Sequence, residues 1–297
     1  MATTLWSDWQ LVSGILPLTE PVLAEILDGG QAFRWQFVDG AWIGQWSDCV
    51  VRLRLNPGGA LEWSAPPSLA DRVSTGLPRY LGLDRNLPAL VDALPWRSDP
   101  HLARCLAAYP GLRILRQPFG ETLLGFLCSA TKQIVQIKQM MALLAERHGA
   151  PIGPVSMAAR RLPTWDELAA IPERELRDCA LGFRAKYIAD TAKFLARHPG
   201  WLEETETLPY SEAKSRLCSL PGVGEKIADC VLLFGAGRLE AFPVDTWILK
   251  TMARRYDLND WKPAQVSQFG RAHFGALAGL AQQFLFAWER REGRAAN

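Results

Sequence analysis

The run LPGVGEKIADC, residues 220–230, decides how this sequence folds around its candidate site. Gly222 and Gly224 permit backbone conformations that other residues resist, and Pro221 stiffens the start of the turn. Apolar helical patterns lie on both sides, so the run predicts two helices joined by a tight hairpin. Exposed amides at the start of the second helix would bind one phosphate, although an ordinary turn without a ligand fits this short pattern equally well.

A lysine and an aspartate each begin a predicted helix in this region. Lys226 is the second residue of the helix after the turn, and Asp245 in PVDTW begins the next one. Alone, a solvated lysine and an ordinary N-cap aspartate are the simpler interpretations. Together they indicate catalysis, because an amine desolvated beside apolar groups becomes a nucleophile, and a nearby carboxylate stabilises positive charge on a sugar ring or moves protons.

The composition is that of an ordinary globular chain. Of 297 residues 48% are apolar, and the net charge of +2 leaves any basic surface to be local. No apolar run reaches the roughly 18 residues of a membrane span and no signal peptide is evident, so we expect an intracellular protein. Six scattered cysteines without a CxxC pair disfavour structural zinc, an iron–sulfur cluster and a zinc deaminase. No metal or cofactor is predicted.

The order of patterns predicts an α+β fold. Asp39-Gly40 separates two aromatic and β-branched runs, residues 51–55 alternate in polarity, and NPGG at 56–59 marks another turn, so we predict an antiparallel sheet with one face to cover. From about Pro67 the pattern is helical. We therefore predict an N-terminal sheet domain over 1–112 and an all-helical domain over 113–297. The predicted helices are 86–95, 122–145, one beginning at the capping box 164–167, 174–180, 184–197, 211–218, 225–235, 246–255, 263–270 and 276–291.

Five motifs in order carry a family resemblance. They are DGGQAFRWQ (28–36), FLCSATKQIVQI (126–137), LGFRAKYI (181–188), LPGVGEKIADC with FPVDTW, and AGLAQQFLF (278–286). Together the chain closely resembles the 8-oxoguanine DNA glycosylase/AP lyases of the helix-hairpin-helix/Gly-Pro-Asp superfamily. The resemblance implies a sheet domain like half of the TATA-binding protein, joined to a helical glycosylase domain.

The resemblance also implies roles for individual residues. Lys226 would attack C1′ of the damaged nucleotide and form a Schiff base that permits β-elimination, and Asp245 would stabilise the developing oxocarbenium. Gly30 would offer its carbonyl to the N7–H that distinguishes 8-oxoguanine from guanine. Gln282 would read the Watson–Crick edge of the base, and Phe286 with Cys230 would sandwich the ring. Without the resemblance, a surface amide, a core aromatic and a buried thiol are the simpler interpretations of these last three.

The residues that face DNA follow the family pattern less closely. Arg184 corresponds to an arginine that contacts the cytosine opposite the lesion, and Phe183 to an aromatic wedge. Thr131 stands where an asparagine run begins in the family, and Gln136 where a second cytosine-reading arginine stands. Trp247 replaces a familiar histidine, whose acidic partner corresponds to Glu289. We therefore expect a shallower preference for the opposite base.

We predict a DNA glycosylase with AP lyase activity that excises 8-oxoguanine and related oxidised purines from duplex DNA as a monomer, in the nucleoid of a bacterium or the nucleus of a eukaryote. Two alternatives stay open. One is a monofunctional purine glycosylase of the same superfamily, which would not need Lys226. The other is a non-catalytic helix-hairpin-helix DNA-binding protein, which would need only the turn.

Overall fold

A five-stranded antiparallel sheet forms the N-terminal part of the molecule. The computed structural model describes residues 5–295, with side chains through residue 291. The strand order is β1-β5-β4-β3-β2, and every neighbouring pair is antiparallel. The strands are β1 (Gln10–Leu11), β2 (Trp35–Val38), β3 (Ala41–Trp46), β4 (Cys49–Leu55) and β5 (Leu61–Ser64).

Helices make up most of the remaining described residues, and they confirm the predicted α+β class. They are α1 (Glu20–Asp28), α2 (Ala70–Tyr80), α3 (Leu87–Asp92), α4 (Pro100–Ala108), α5 (Phe119–Leu127), α6 (Ile134–His148), α7 (Trp165–Ala170), α8 (Glu173–Leu176), α9 (Arg184–Arg197), α10 (Trp201–Thr207), α11 (Tyr210–Cys218), α12 (Glu225–Val231), α13 (Thr246–Tyr256), α14 (Pro263–Phe274) and α15 (Ala278–Ala295).

The two turns predicted between strands are confirmed. Asp39 and Gly40 both adopt positive φ, 49° and 77°, as a two-residue turn between twisted strands requires. In the next turn the Asn56 side chain accepts hydrogen bonds from the backbone amides of Gly58 and Ala60, both at 3.0 Å. Local turn chemistry therefore accounts for the chain reversals at these two turns.

The predicted continuous helix over 122–145 is wrong, because α5 and α6 are separated by residues 128–133, which we call the α5–α6 loop. Thr131 has a φ of 55°, which a right-handed helix cannot contain. The Ser129 hydroxyl turns back to the carbonyl of Phe126 at 2.7 Å, and a capping box at Gln133 starts α6. Apolar spacing continues across this polar break, which is why periodicity alone does not detect it.

Smaller differences affect short helices. The helix predicted over 86–95 is confined to α3, and the one predicted over 174–180 is α8 followed by a wide turn, in which Ala180 has a φ of 61°. Four observed helices, α1, α2, α4 and α10, are missing from the predicted set. All are short, and α2 contains Pro78, so local patterns identify them poorly.

An aromatic cluster joins α2 to the sheet and covers its apolar face. Trp35 is fully buried, and its indole N–H donates to the Tyr80 hydroxyl at 2.9 Å. The Tyr80 ring also stacks on Trp46 with centroids 4.4 Å apart. Because the buried polar atoms of Trp35 and Tyr80 satisfy each other, large aromatic side chains fill this core without a hydrogen-bonding cost.

The helical hairpin predicted from residues 220–230 is present as α11, a turn and α12. Gly222 has a φ of 78°, and a Cβ there would lie 2.6 Å from the Tyr187 ring of α9. Gly224, at the start of α12, has nothing within 4 Å of its own Cβ position. The hairpin is thus seated on α9 through Gly222, while its Gly224 side faces open space.

Gly222→Ala is expected to destabilise the fold, because the new methyl group combines a strained φ with a clash against an aromatic ring. We expect a loss of about 1–3 kcal/mol of unfolding free energy in urea denaturation. The matched control is Gly224→Ala in the same turn, which should lose about 1 kcal/mol or less. Equal losses for the two variants would contradict the close approach of Gly222 to Tyr187.

A pH dependence of stability is expected from Glu121 in the first turn of α5. Burial raises its pKa from 4.5 to about 7, although the carboxylate accepts a hydrogen bond from the Ser47 amide at 2.7 Å. The folded state therefore holds this proton more tightly than the unfolded chain. The resulting stabilisation is complete below pH 4.5 and disappears as the pH rises through about 7.

Glu121→Gln keeps an acceptor for the Ser47 amide and removes the titration. The free energy of unfolding of the wild type should fall relative to that of this variant by about 1–3 kcal/mol as the pH rises from 4.5 to 8. Urea denaturation of both proteins across this range measures the difference. A difference that does not change with pH would show that Glu121 does not titrate there.

Candidate active site

The candidate nucleophile lies where the start of α12 meets the end of α5. Lys226 is the second residue of α12 and is partly buried. Its amine donates to the Ser129 hydroxyl at 3.3 Å and lies 5.1 Å from the centroid of the Phe126 ring. Lys226 forms no ion pair with an acidic group of the residues whose side chains the structure describes. The amine therefore contacts the Ser129 hydroxyl and the Cys230 thiol beside an aromatic ring, and with no carboxylate paired to it among these residues it is available for chemistry.

The candidate carboxylate caps the next helix. Asp245 is the N-cap of α13, and its side chain accepts from the Ile248 amide at 2.9 Å. Burial raises the pKa of Asp245, while the hydrogen bond from the Ile248 amide and the positive charge of Lys226 act in the opposite direction. The same carboxylate therefore has two partners, a helix terminus that holds it in place and a lysine whose charge it feels.

Cys230 lies one turn beyond Lys226 and completes this group. Its side chain is buried, and burial raises the pKa of the thiol to about 12 despite the nearby Lys226 charge. The thiol therefore stays neutral at physiological pH, which makes it a wall of the site and excludes it as a thiolate nucleophile. The structure thus brings together Lys226, Asp245 and Cys230, which the sequence predicted as neighbours.

Gly30 and Phe286, both predicted for a base pocket, lie next to each other at the loop before β2. Gly30 has a φ of 112°, and a Cβ there would lie 3.1 Å from Ile134 and 3.9 Å from the ring of Phe286. A side chain at this position would fill the space beside Phe286 as well as strain the backbone. Gln282 is buried, donates to the carbonyl of Pro243 at 3.2 Å and accepts from Gln283 at 2.8 Å.

The loop that carries Gly30 is held on one side by α15 and on the other by the segment between α4 and α5. Arg290 of α15 donates to the carbonyl of Gly29 and pairs with Glu25 of α1 at 2.9 Å. On the other side, the Gln31 amide donates to the Arg113 carbonyl and its oxygen accepts from the Leu115 amide, both at 2.9 Å. Sequence reasoning missed Arg290, because a charged residue on a C-terminal helix carries no local signal of such a contact.

Arg184, predicted to face the opposite strand, is engaged within the protein. It is buried, and its guanidinium donates to the carbonyl of Ala130, to the Thr131 hydroxyl at 3.0 Å and to the carbonyl of Leu181 at 3.2 Å. Phe183 beside it is half exposed, as a wedge residue would be, and lies 4.3 Å from the guanidinium. Arg184 and Thr131 are therefore brought together in this structure.

Gln136 and Trp247 lie in the first turns of α6 and α13, and the backbone amide of Trp247 donates to the Asp245 carboxylate. The Gln136 side chain is exposed and accepts from the Gln133 amide at 3.2 Å. Trp247 is partly buried in the first turn of α13, and the Lys250 amine lies 5.6 Å from its ring. Glu289 does not face Trp247 as a partner, since it pairs with Arg254 at 2.9 Å.

Two absences complete the description of the site. Among the described residues there is no group of three or more His, Cys, Asp or Glu side chains placed to hold a metal ion. Across the part of the chain that was searched, no helix has both the length and the apolar character needed to cross a membrane.

Comparison with known proteins covers nearly the whole chain. Residues 15–123 match the family model of the 8-oxoguanine DNA glycosylase N-terminal domain, and residues 124–272 match that of the HhH-GPD superfamily of base excision DNA repair proteins. The N-glycosylase/DNA lyase OGG1 of Arabidopsis thaliana is 32% identical in an alignment 293 positions long, which covers 92% of this chain and 77% of that protein. The N-glycosylase/DNA lyase of Saccharomyces cerevisiae is 32% identical in an alignment 264 positions long, which covers 81% of this chain and 70% of that protein.

A solved structure agrees with both relatives. The 8-oxoguanine glycosylase/lyase of Clostridium acetobutylicum, in complex with double-stranded DNA containing cytosine opposite to 8-oxoG, is 30% identical and superposes with a TM-score of 0.85. The match covers 98% of this chain and 100% of that chain. By sequence and by fold, this chain belongs to the 8-oxoguanine DNA glycosylase family within the HhH-GPD superfamily.

Proposed function

We propose that this protein excises 8-oxoguanine and related oxidised purines from duplex DNA and then cleaves the resulting site by β-elimination. The observation that carries the proposal is the partly buried amine of Lys226 against Phe126, with the Asp245 carboxylate at the start of the following helix. The relatives in three organisms, all named as glycosylases with lyase activity, support the same function.

The chemistry begins once the damaged nucleotide has left the base stack, at a cost of a few kcal/mol. The neutral amine of Lys226 attacks C1′, the glycosidic bond breaks, and its electron pair leaves with the base, which takes up a proton. Asp245 stabilises the positive charge that develops on the sugar. The sugar ring then opens to an imine between Lys226 and C1′, and loss of a proton from C2′ expels the 3′ phosphate.

Recognition of the lesion is assigned to the Gly30 loop. Guanine presents an acceptor at N7, whereas 8-oxoguanine presents an N–H donor there, so the Gly30 carbonyl would favour the damaged base. Gln282 would read the Watson–Crick edge, in a position held by Pro243 and Gln283. Phe286 and the neutral thiol of Cys230 would enclose the two faces of the ring.

Contacts to the DNA strands are assigned to the exposed surfaces around this site. The amides near Gly222 and Gly224 would hold a phosphate without reading sequence. Phe183 would fill the space left by the flipped nucleotide, and Arg184 would contact the opposite base. Thr131, Gln136 and Trp247 lie at positions where the family makes further DNA contacts. The protein would act as a monomer in the compartment that holds the DNA.

Lys226→Gln is expected to abolish both excision and borohydride cross-linking to a duplex containing 8-oxoguanine, because an amide cannot form the imine. Lesion binding should remain close to that of the wild type. Lys193→Gln, which changes an exposed lysine on α9, is the control and should cross-link normally. Cross-linking of Lys226→Gln at the wild-type yield would mean that another amine is the nucleophile.

The wild-type protein itself distinguishes the alternative functions in the same assay. Excision without a borohydride cross-link would indicate a monofunctional glycosylase. Binding of DNA without excision would indicate a non-catalytic helix-hairpin-helix module.

Substitutions of Asp245 separate its structural role from its proposed catalytic role. Asp245→Asn keeps an acceptor for the Ile248 amide, whereas Asp245→Ala removes it and should lower the unfolding free energy by about 1 kcal/mol. Both variants should lose excision activity, by about 10²–10³-fold for a lost charge of this kind. Single-turnover excision and urea denaturation give the two quantities. An Asp245→Asn variant that excises at the wild-type rate would leave the carboxylate with only its capping role.

A further inference from the structure

The α5–α6 loop connects the candidate nucleophile to the arginine proposed to contact the opposite strand. Ser129 lies at one end of this connection and contacts Lys226. The next two residues, Ala130 and Thr131, both contact Arg184. Three consecutive loop residues therefore join two functional side chains that belong to different helices, α12 and α9.

At the nucleophile end, the contact to Ser129 has a defined direction. A serine hydroxyl has one proton, and that of Ser129 is donated to the Phe126 carbonyl at 2.7 Å. The hydroxyl oxygen can then only accept from Lys226, whose amine lies 3.3 Å away. This contact uses one N–H of the amine and leaves its lone pair free, so it restrains where the amine can point without blocking its reactivity.

At the other end, Arg184 holds the loop in a strained conformation. Thr131 is β-branched and has a φ of 55°, a backbone region that such residues avoid. Its hydroxyl and the carbonyl of Ala130 both accept hydrogen bonds from the same guanidinium nitrogen of Arg184. The Nε of Arg184 is buried and has no hydrogen-bond partner among the described residues. The Arg184 guanidinium therefore holds the α5–α6 loop in this conformation through one nitrogen, while its Nε–H donor has no partner among the described residues.

The contacts to Lys226 and to Arg184 share the α5–α6 loop, so a movement of Arg184 that releases Ala130 and Thr131 would also reach Ser129. A base opposite the lesion that accepts hydrogen bonds from Arg184 would compete with Ala130 and Thr131 for the same donors. Removing Arg184 from the loop would allow Thr131 to relax, and Ser129, two residues away, would move with it.

We propose that Ser129 is a specificity-determining residue, which restrains Lys226 until the base opposite the lesion draws Arg184 away from the α5–α6 loop. In this arrangement the identity of the opposite base acts on the excision step as well as on binding. The inference rests on the proposed function and deepens it, because it links recognition of one strand to chemistry on the other.

Ser129→Ala tests the restraint. Single-turnover excision is measured at saturating enzyme on two duplexes that differ only in cytosine or adenine opposite 8-oxoguanine, together with the dissociation constant for each. The variant should excise opposite adenine at least threefold faster than the wild type and opposite cytosine within about twofold of it. The ratio of the two dissociation constants should not change, because Arg184 is intact.

Two controls accompany this variant. Ser74→Ala on α2 removes a hydroxyl that donates to a carbonyl three residues earlier, as Ser129 does, but far from Lys226 in the chain, and it should leave both rates unchanged. Ser129→Thr keeps the hydroxyl and should retain the wild-type ratio of rates. If Ser129→Ala does not fold, Thr131→Gly is measured instead, because it removes a contact to Arg184 and the backbone strain. It should lower the ratio of the excision rate opposite cytosine to that opposite adenine, as Ser129→Ala is expected to do.

The outcomes separate the inference from the proposed function. A wild-type protein that neither excises nor cross-links on either duplex contradicts the proposed function itself. An active wild type with an unchanged ratio of rates in Ser129→Ala overturns the restraint and leaves the function standing. A fall of both rates by the same factor also overturns it, since Ser129 would then serve only the structure of the site.

Discussion

The candidate site depends on one constraint, which is that a lysine amine must lie at the start of a helix, against an aromatic ring and without an ion pair. Lys226 is the second residue of α12, and its amine lies 5.1 Å from the centroid of the Phe126 ring. The structure maintains this arrangement by seating the hairpin on α9 through Gly222, whose missing side chain lets the turn approach Tyr187. The position of Lys226 therefore follows from packing at Gly222, four residues earlier in the sequence.

The same site requires contacts between the sheet-containing part of the chain and the helices that follow it. Gly30 lies on a loop that leads into the sheet, yet its neighbours Gly29 and Gln31 are held by Arg290 of α15 and by the carbonyl of Arg113 in the segment between α4 and α5. A base pocket at this junction would be set by relative placement of the two parts, and a loop fastened on both sides gives that placement little freedom. Asp245 follows the same principle, since capping α13 holds its carboxylate toward Lys226.

The comparison of sequence and structure is most informative at the α5–α6 loop. Apolar spacing predicts one helix over 122–145, and the side chains that produce this spacing are indeed buried in α5 and α6. The break arises because Ser129, Thr131 and Gln133 satisfy backbone and side-chain partners outside a continuous helix, one of them Arg184 from α9. Periodicity measures which residues face the core, and it carries no information about a long-range arginine.

Local chemistry in the sequence determined the α+β class, the turns at Asp39-Gly40 and 56–59, the hairpin with its glycines, and the neighbourhood of Lys226, Asp245 and Cys230. These features depend on residues close in the chain, or on motifs whose spacing defines a geometry. Tertiary structure alone decided that Arg290 holds the loop of Gly30, that Ser129 holds Lys226, and that Arg184 is buried against Ala130 and Thr131. Each of these contacts joins residues that are more than fifty positions apart, and the direction of a side chain across such a distance follows only from how the helices pack.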